Sequence, residues 1–323
     1  MSECKTIAVL TSGGDAPGMN SAIRAVVRFA IAKGIRPLGV RRGFNGLIHR
    51  DIFEMSIRTV SDIVARGGTI LYTARSPEFA AEGGPEKAAE RCREVKIDGV
   101  VVIGGDGSIK GAKKLNDSGI PCVCLPGTID NDIACSEYSI GFDTAINTAT
   151  TMIDKIRDTA QSHDRCSVIE VMGRRCGNIA VQTGVASGAT AILVPEYSFD
   201  FEKDVIERLF FTQKIGKRHF IIVVSEGLVH VDKMTKEITA RTGIDSRATI
   251  LGHVQRGGSP TARDRIVASE MGCHAVEVLS EGNGGKVIAI KNNKTVDIKI
   301  EEAITAEKPF DMKLYKKALQ ISI

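Results

Sequence analysis

Residues 100–108, Val-Val-Val-Ile-Gly-Gly-Asp-Gly-Ser, decide the fold class of this chain. Val100–Ile103 is a continuous β-branched run, typical of a strand buried on both faces. Ile109–Ser118, which follows, has the residue spacing of a helix. A second strand and helix, at Ile7–Leu10 and Met19–Lys33, are likewise joined by a glycine-rich loop. Repeated strand–loop–helix units predict a parallel sheet covered by helices.

The same pattern continues to the end of the chain. Further strands are predicted at Gly39–Val40, Cys122–Leu125, Ser167–Val171, Ala191–Val194, His219–Val224 and Val287–Ile290, and further helices at Val205–Lys214 and Arg265–Glu281. A length of 323 residues is enough for two domains. We therefore predict an α/β protein of two domains with central, largely parallel sheets flanked by helices. No low-complexity linker is visible, so we expect the chain to cross between the domains.

Charge, apolar runs and cysteines exclude several classes of protein. The 43 basic and 39 acidic residues give a net charge of +4 and form no block of like charge, unlike the basic stripe of a nucleic-acid binder. No apolar run reaches the ~18 residues needed to span a bilayer, and no signal peptide is visible. The eight cysteines contain no C-x-x-C pair, which argues against a zinc knuckle. A disulfide framework is not expected in a chain this long without secretory signals, so we expect reduced thiols. We expect a cytoplasmic protein without nucleic-acid or membrane partners.

Two glycine–aspartate turns follow predicted strands, at Thr11–Gly18 and Gly104–Ser108. Glycine lets backbone N–H groups approach a phosphate, and the helix that follows presents its positive end. Neither turn matches the P-loop or the dinucleotide-binding fingerprint. A carboxylate beside phosphates requires a cation, which predicts Asp106 as a magnesium contact. Capping of the next helix by Asp106 is the alternative, but two such turns in one chain favour phosphate binding.

A third loop, Pro126–Asp132, contains the candidate proton acceptor. Phosphoryl transfer to an alcohol needs a group that accepts the hydroxyl proton. In an extended segment Asp130 and Asp132 would share a face, one as the base and the other as an electrostatic supporter. A simple polar turn is the alternative, because Asp and Asn favour turns.

Arginines near glycines or turns form a fourth group. Arginine binds phosphate in a bidentate manner and keeps its charge, although most arginines are solvated surface residues. The glycines that flank Gly252–Gly258 indicate close approach of the backbone to a ligand. The candidates are Arg75, Arg165, Arg174, Arg247, Arg256 and His253.

Six segments together resemble, in content and order, the bacterial-type ATP-dependent 6-phosphofructokinases, and the similarity runs nearly end to end. They are Leu10–Asn20, Gly68–Arg75, Ile103–Ser108, Pro126–Asp132, Glu170–Arg174 and Leu251–Pro260. The resemblance implies phosphorylation of D-fructose 6-phosphate at its 1-hydroxyl by ATP with Mg²⁺, a step of glycolysis. It also implies a larger nucleotide-binding domain of residues 1–141 and 255–307. A smaller sugar-phosphate and effector domain would contain residues 142–254 and 308–323.

The resemblance also implies roles for single residues. The ATP site maps to Gly14, Arg75, Ser76, Gly105, Asp106, Gly107 and Ser108, with Asp106 as the magnesium ligand. Asp130 matches the general base, Thr128 and Asp132 its orienting neighbours, and Arg174 a cation near the transferring phosphoryl group. The sugar-phosphate site maps to Thr128, Asp130, Arg165, Met172, Gly173, Arg174, Glu226, Arg247, His253 and Arg256. Arg165 and Arg247 would reach in from a neighbouring subunit, which implies a homotetramer.

Two glycines bear on the phosphoryl donor. Pyrophosphate-using relatives typically carry Asp at the position of Gly107 and Lys at that of Gly127, so ATP is favoured over pyrophosphate. Phe44 replaces a tyrosine of many relatives, and we expect its ring still to pack on adenine. A silent sugar-phosphate or nucleotide sensor of the same fold is a further alternative, although Asp130 and Arg174 are retained. Pro126–Asp132 and the arginines argue against a lipid or nicotinamide-nucleotide kinase.

A second nucleotide site is retained only in part. Relatives are activated by ADP and inhibited by phosphoenolpyruvate at a site between subunits, whose cations match Arg24, Arg28, Arg157 and Lys217. Thr190 replaces an acidic residue that helps hold the effector's metal, and Ile57 and Ile215 replace basic residues of some relatives. We expect weak or altered effector control with catalysis intact. Surface drift without consequence is the alternative.

Overall fold

The computed structural model describes residues 4–322, which form two compact α/β units. The first unit contains the chain up to Thr144 and Arg256–Lys308, and the second contains Ala145–Gln255 and the chain from Pro309. The chain therefore passes between the units three times. The predicted fold class is confirmed, because both sheets are largely parallel and flanked by helices. The domain limits given by the resemblance, after residues 141, 254 and 307, stay predictions.

The strands and helices are numbered along the chain. The strands are β1 Thr6–Ser12, β2 Arg36–Val40, β3 Ile52–Glu54, β4 Gly99–Gly104, β5 Cys122–Pro126, β6 Cys166–Val171, β7 Ala191–Leu193, β8 Phe220–Ser225, β9 Ser246–Ile250, β10 Lys286–Lys291 and β11 Lys294–Lys299. The α-helices are α1 Met19–Ala32, α2 Phe44–His49, α3 Pro77–Ala80, α4 Gly84–Glu94, α5 Asp106–Asp117, α6 Phe142–Ser162, α7 Asn178–Ala186, α8 Glu207–Lys214, α9 Val231–Thr242, α10 Ala262–Ser280, α11 Ile300–Thr305 and α12 Met312–Ile321. A π-helical turn, Glu202–Ile206, precedes α8, and a 3₁₀ helix spans Gly252–Arg256.

The first unit is built on a seven-stranded sheet in the order β11-β10-β5-β4-β1-β2-β3. The central strands β1, β4 and β5 are parallel, and every residue of each is buried. Their apolar side chains pack with those of α2, α4, α5 and α11 in one core. Only the edge pairs, β2–β3 and β10–β11, are antiparallel. In a parallel sheet the carboxyl ends of neighbouring strands meet at one edge, where ligands bind.

The second unit is built on a four-stranded sheet in the order β7-β8-β6-β9, with all neighbours parallel. Its core joins the strands to the Glu202–Ile206 turn, α8 and α9. The loops after β6 and β8 follow adjacent strands, because Val171 pairs with Ser225. Among residues 4–322, no helix combines the length and apolarity that crossing a bilayer requires.

The predicted elements are present, with shifted ends. Helix α5 begins three residues earlier than predicted, so Asp106 lies in its first turn. The predicted helix Val205–Lys214 starts within the π-helical turn, and α10 starts at Ala262 rather than Arg265. The edge strands β3, β9 and β11 were not predicted, because edge strands expose one side and lack a continuous apolar run. Eight helices were not predicted either, namely α2, α3, α4, α6, α7, α9, α11 and α12.

Candidate active site

Three loops of the first unit lie side by side after β1, β4 and β5. The N–H of Gly127 donates to the carbonyl of Gly104 at 3.0 Å. A Cβ on Gly104 would lie 2.4 Å from the carbonyl oxygen of Ser12, closer than any real Cβ contact. Small residues therefore let the loops predicted to bind phosphate and to hold the base come into contact, as expected from the strand order.

Helix α5 begins without a side-chain cap on its backbone N–H groups. Gly105 stands at the N-cap with no side-chain hydrogen bond to the helix. Asp106 does not cap α5, since its Oδ2 lies 2.8 Å from Lys110 Nζ and its side chain is 39% exposed. No atom lies within 4 Å of the position that a Cβ on Gly107 would take. The first turn of α5 thus has open space on the Cβ side of Gly107, where a phosphate can approach the positive end of the helix.

A magnesium ion fits this end of α5 as the partner of a single carboxylate. Residues 4–322 contain no group of three or more His, Cys, Asp or Glu side chains placed to hold a metal ion. Protein-bound Mg²⁺ often takes only one or two carboxylates and completes its shell with phosphate oxygens and water. Asp106, exposed beside the open space at Gly107, can supply one such oxygen.

The guanidinium group of Arg256 contacts the glycine-rich loop after β1. Arg256 Nη1 donates to the carbonyl of Asp15 at 3.2 Å, and a Cβ on Gly14 would lie 2.6 Å from the same Nη1. Thr73 Oγ1 donates to the carbonyl of Gly13 at 2.6 Å, which ties the loop to the segment that leads to Arg75. The structure therefore brings the predicted residues Gly14 and Arg256 together.

Two further predicted nucleotide residues lie close to α3. Arg75 is exposed, whereas the Ser76 hydroxyl caps α3 by accepting the N–H of Phe79 at 3.3 Å. Phe44 is buried and stacks on Phe79 with ring centroids 4.2 Å apart. A Cβ on Gly111 would lie 2.7 Å from the Phe44 ring. Packing of Phe44 on adenine stays a prediction.

The loop after β5 buries the candidate base. Asp130 is 4% exposed and Thr128 is 7% exposed. The Thr128 hydroxyl donates to Asp130 Oδ2 at 3.3 Å, and the Asp130 N–H donates to Thr128 Oγ1 at 3.2 Å. The expectation of an extended segment is wrong, because Asn131 has a left-handed φ of 49°. Asp130 and Asp132 are therefore not placed on one face as strand neighbours would be.

In the second unit, Glu226 shapes the loop after β6. Its Oε1 accepts the N–H of Gly173 at 3.3 Å and the N–H of Arg174. Arg174 has φ 60°, a conformation that costs a residue with a side chain about 1–2 kcal/mol. Hydrogen bonds to a charged group contribute ~1.5–3 kcal/mol each and can offset that cost. The loop predicted to bind the sugar phosphate is thus held in a strained form by a residue predicted for the same site.

Glu170, at the end of β6, was given no role by the sequence. Burial raises the pKa of its carboxyl, and the negative charge of Glu226 raises it further. Met172, two residues on, donates its N–H to Gln255 Oε1 at 3.4 Å. His253 is exposed in the 3₁₀ helix.

Arg165 and Arg247 lie at the opposite end of the same sheet. Both bind one carboxylate, since Arg165 Nε lies 2.7 Å and Arg247 Nη2 lies 3.3 Å from Asp245 Oδ2. The hydrogen bond from Arg165, helped by the charge of Arg247, lowers the pKa of Asp245. The whole of β6 separates Arg165 from Met172, about 20 Å at ~3.3 Å per residue. Within one chain, the structure does not bring these two arginines to the loop that contains Arg174.

The predicted effector cations are divided between the units. Arg24 and Arg28 lie on α1 of the first unit, and Arg157 and Lys217 belong to the second. Burial lowers the pKa of Lys217, as do the charges of Arg157 and then Arg208.

His219 was missed by the sequence analysis, although it follows Lys217 by two residues. Burial lowers its pKa, followed by the charges of Arg157 and Lys217. Thr190 is 1% exposed, and its hydroxyl has no hydrogen-bond partner within residues 4–322. Ile57 and Ile215 are exposed. The second unit thus carries a cluster of cations around Lys217, whereas Thr190 is a buried neutral residue.

Comparisons with known proteins show what this chain is similar to. Residues 6–279 match the family model described as phosphofructokinase. Proteins named ATP-dependent 6-phosphofructokinase from Clostridium tetani and Clostridium botulinum (strain Hall) are each 54% identical to this chain over 318 residues. Each alignment covers 98% of this chain and 99% of the relative.

Solved structures share the fold. Phosphofructokinase from Saccharomyces cerevisiae aligns with a TM-score of 0.88 and 34% identity over 99% of this chain and 48% of its own, so this chain spans about half of that protein. A pyrophosphate-dependent phosphofructokinase from Marinobacter aquaeolei aligns with a TM-score of 0.84 and 22% identity over 99% of this chain and 91% of its own.

Proposed function

This chain belongs to the phosphofructokinase family, and from that premise we propose that it transfers the γ-phosphoryl group of ATP to the 1-hydroxyl of D-fructose 6-phosphate. The products are fructose 1,6-bisphosphate and ADP. The observation that carries the proposal is the contact between the Gly104 turn and the Gly127 loop. It brings the loop that contains the buried Asp130 against the turn that starts α5, and that turn has open space on the Cβ side of Gly107.

Asp130 is the proposed general base. Its carboxylate takes the proton of the 1-hydroxyl while that oxygen forms a bond to the γ-phosphorus. The bond between the γ-phosphorus and the bridging oxygen of ADP breaks in the same displacement. The Thr128 hydroxyl, 3.3 Å from Asp130 Oδ2, orients the carboxylate, and Arg174 supplies positive charge for the transferring group.

The glycine-rich loops are proposed to bind the nucleotide phosphates. Gly14, Gly105, Gly107 and Ser108 present backbone or a small side chain, and Arg75 supplies positive charge. Mg²⁺ held by Asp106 would neutralise the charge on the phosphate oxygens when bound. Arg256, whose guanidinium group contacts the glycine-rich loop, is proposed to bind the sugar phosphate with Met172, Gly173, Glu226 and His253.

Two glycines support ATP rather than pyrophosphate as the donor. A Cβ on Gly127 would lie 3.0 Å from Ile103 Cγ2 and 3.2 Å from Met19 Cε, so the lysine of pyrophosphate-using relatives would require the loop to shift. The space around Gly107 is open. An aspartate there would fit the protein and would act by repelling the nucleotide phosphate instead.

A shared active site is the proposed reason for oligomerisation. Arg165 and Arg247 are separated from Met172 by the length of β6, so they cannot serve the same sugar-phosphate site within one chain. We propose that they complete the site of a neighbouring subunit in a homotetramer. Their common partner, Asp245, would hold the two guanidinium groups together for that purpose.

Effector control is proposed to be weak. The cations near Lys217 can bind a phosphorylated anion, whereas Thr190 provides no carboxylate for a metal carried by ADP. ADP and phosphoenolpyruvate would then be poorly distinguished. No disulfide joins two cysteines within residues 4–322. A reducing, cytoplasmic location is proposed from the cysteine usage of the sequence.

The test measures ADP release from MgATP and fructose 6-phosphate, and repeats the assay with pyrophosphate. Asp130→Ser should reduce kcat by several orders of magnitude while sugar-phosphate binding is kept. Asp117→Ser, which removes an exposed carboxylate at the end of α5, is the matched control and should leave kcat unchanged. Turnover with pyrophosphate alone would assign the other donor. Absence of turnover with either donor in folded protein would favour the sensor and remove the catalytic roles.

A further inference from the structure

We infer that Asp264, which lies outside the site described above, is a positioning residue for phosphoryl transfer in the first unit. The inference rests on the proposed function. Asp264 lies in the first turn of α10 and is 0% exposed. A carboxylate removed from water is costly unless it is hydrogen-bonded or paired, so its partners indicate its role.

All four hydrogen bonds to the Asp264 carboxylate come from three residues of one short segment, residues 138–144. Its Oδ1 accepts the Tyr138 hydroxyl at 2.5 Å and the Gly141 N–H at 2.7 Å. Its Oδ2 accepts the Thr144 N–H at 2.9 Å and the Thr144 hydroxyl. An ionised carboxylate accepts about four such bonds and donates none. The Asp264 carboxylate therefore holds residues 138–144 in place through these hydrogen bonds.

This segment touches both loops of the candidate active site. The Ile140 N–H donates to the carbonyl of Pro126 at 2.8 Å, and Ile140 forms a β-bridge with Gly127 at the start of the loop that contains Asp130. On the other side, a Cβ on Gly18 would lie 2.7 Å from Ile140 Cγ2. A Cβ on Gly141 would lie 2.8 Å from that of Ala16 in the glycine-rich loop. Movement of residues 138–144 therefore moves both loops.

A purely local role for Asp264 does not explain these contacts. Thr261 caps α10 by accepting the Asp264 N–H at 3.3 Å. In a capping box, the acidic side chain at the third helical position would return to the N–H of the cap residue. Here the Thr261 N–H donates to Thr144 Oγ1 at 3.0 Å, which leaves the Asp264 carboxylate to bind residues 138–144. The Asp264 side chain, which stands where a capping box would use it, instead makes long-range hydrogen bonds.

The test combines amide hydrogen exchange with kinetics in the full-length protein. Asp264→Asn keeps the shape but places an NH₂ group among donors. Exchange in residues 12–18 and 126–132 should rise at least about fivefold, since an unsatisfied buried group costs about 1–3 kcal/mol. A loop displacement approaching 1 Å should also lower kcat by as much as about 10²-fold. Tyr138→Phe removes one donor and should produce a smaller change of the same kind.

Leu279→Ala is the control, because it destabilises the far end of α10, where Leu279 packs on Gly99. Its exchange in the two loops and its kcat should match wild type below its unfolding transition. The inference would be overturned if folded Asp264→Asn had the same hydrogen exchange and kinetics as the wild type. If Asp264→Asn does not fold, the same measurements on Tyr138→Phe decide. If the wild-type protein shows no turnover, the proposed function is wrong instead. The hydrogen-exchange measurement does not depend on that function and would still test the contacts of Asp264.

Discussion

Gly127→Ala should show whether the contact at Gly127 fixes the position of Asp130, as distinct from contributing to the stability of the fold. The added methyl group would lie 3.0 Å from Ile103 Cγ2 and 3.2 Å from Met19 Cε. Carbon atoms in contact prefer about 3.5–4.0 Å, so the shortfall is roughly 0.5–1 Å at Ile103 and roughly 0.3–0.8 Å at Met19. Ile103 is fully buried within the sheet, and the loop after β5 is the part that can yield.

The displacement sets the size of the effect. A misplacement of about 1 Å can cost ~10²-fold in rate, and half that distance about tenfold on a logarithmic scale. We therefore expect kcat to fall by about 10–100-fold, because Asp130 moves relative to the phosphate loops. The loss of stability should be about 1–3 kcal/mol, as for other overpacked cores.

Gly99→Ala provides the matched control. Its Cβ would lie 2.9 Å from Leu279 Cδ2, a comparable collision at the opposite end of the neighbouring strand. Steady-state kinetics with MgATP and fructose 6-phosphate, and urea unfolding, would be measured for both variants. Equal losses of stability with a lower kcat only in Gly127→Ala are expected. A wild-type kcat in Gly127→Ala would refute the argument that this contact fixes the base.

Three further predictions concern other parts of the molecule. Mixed subunits of Asp130→Ser and Arg247→Ala should regain activity that neither variant has alone, because each supplies what the other lacks to a shared site; inactive hybrids of normal size would contradict sharing. Glu170→Gln should raise the melting temperature at pH 7 but not near pH 4. The raised pKa of Glu170 means that the folded state binds its proton more tightly, so stability falls as pH rises from the unfolded value through the folded one. An unchanged difference between pH 4 and pH 7 would exclude this origin. At sub-saturating fructose 6-phosphate, ADP and phosphoenolpyruvate should change the rate only weakly because of Thr190, and strong opposite responses would defeat this expectation.

The sequence predicted the central strands and the loops after them because both depend on local patterns. Val100–Ile103 could be recognised as buried, and the glycines after it as a turn, without knowledge of their neighbours. Asp106 was correctly placed beside the start of a helix, although its position within the first turn depended on where α5 begins. The short strands β3 and β11 have no such pattern, since pairing with a neighbour determines them.

Contacts between distant residues could not be predicted. Tyr138 and Asp264 are 126 positions apart, and only the folded chain brings them together. The left-handed backbone at Arg174 likewise accompanies hydrogen bonds from the loop to Glu226 and does not follow from residue preference. Glu226 was assigned to the sugar phosphate by resemblance, and its bonds to the Gly173 and Arg174 backbone became visible only in the structure.

The order of strands in the first sheet has a consequence for synthesis of the protein. Strand β5 pairs with β10, and about 160 residues separate the end of one from the start of the other. Ribosomes add ~5–20 residues per second, so the outer edge of β5 lacks its partner for on the order of 10–30 s. The complete second sheet, β6 to β9, emerges in that interval. The sheet of the second unit can thus be completed before the sheet of the first, although the second unit also needs the chain from Pro309. Meanwhile the nascent first unit exposes an apolar edge that chaperones are suited to cover.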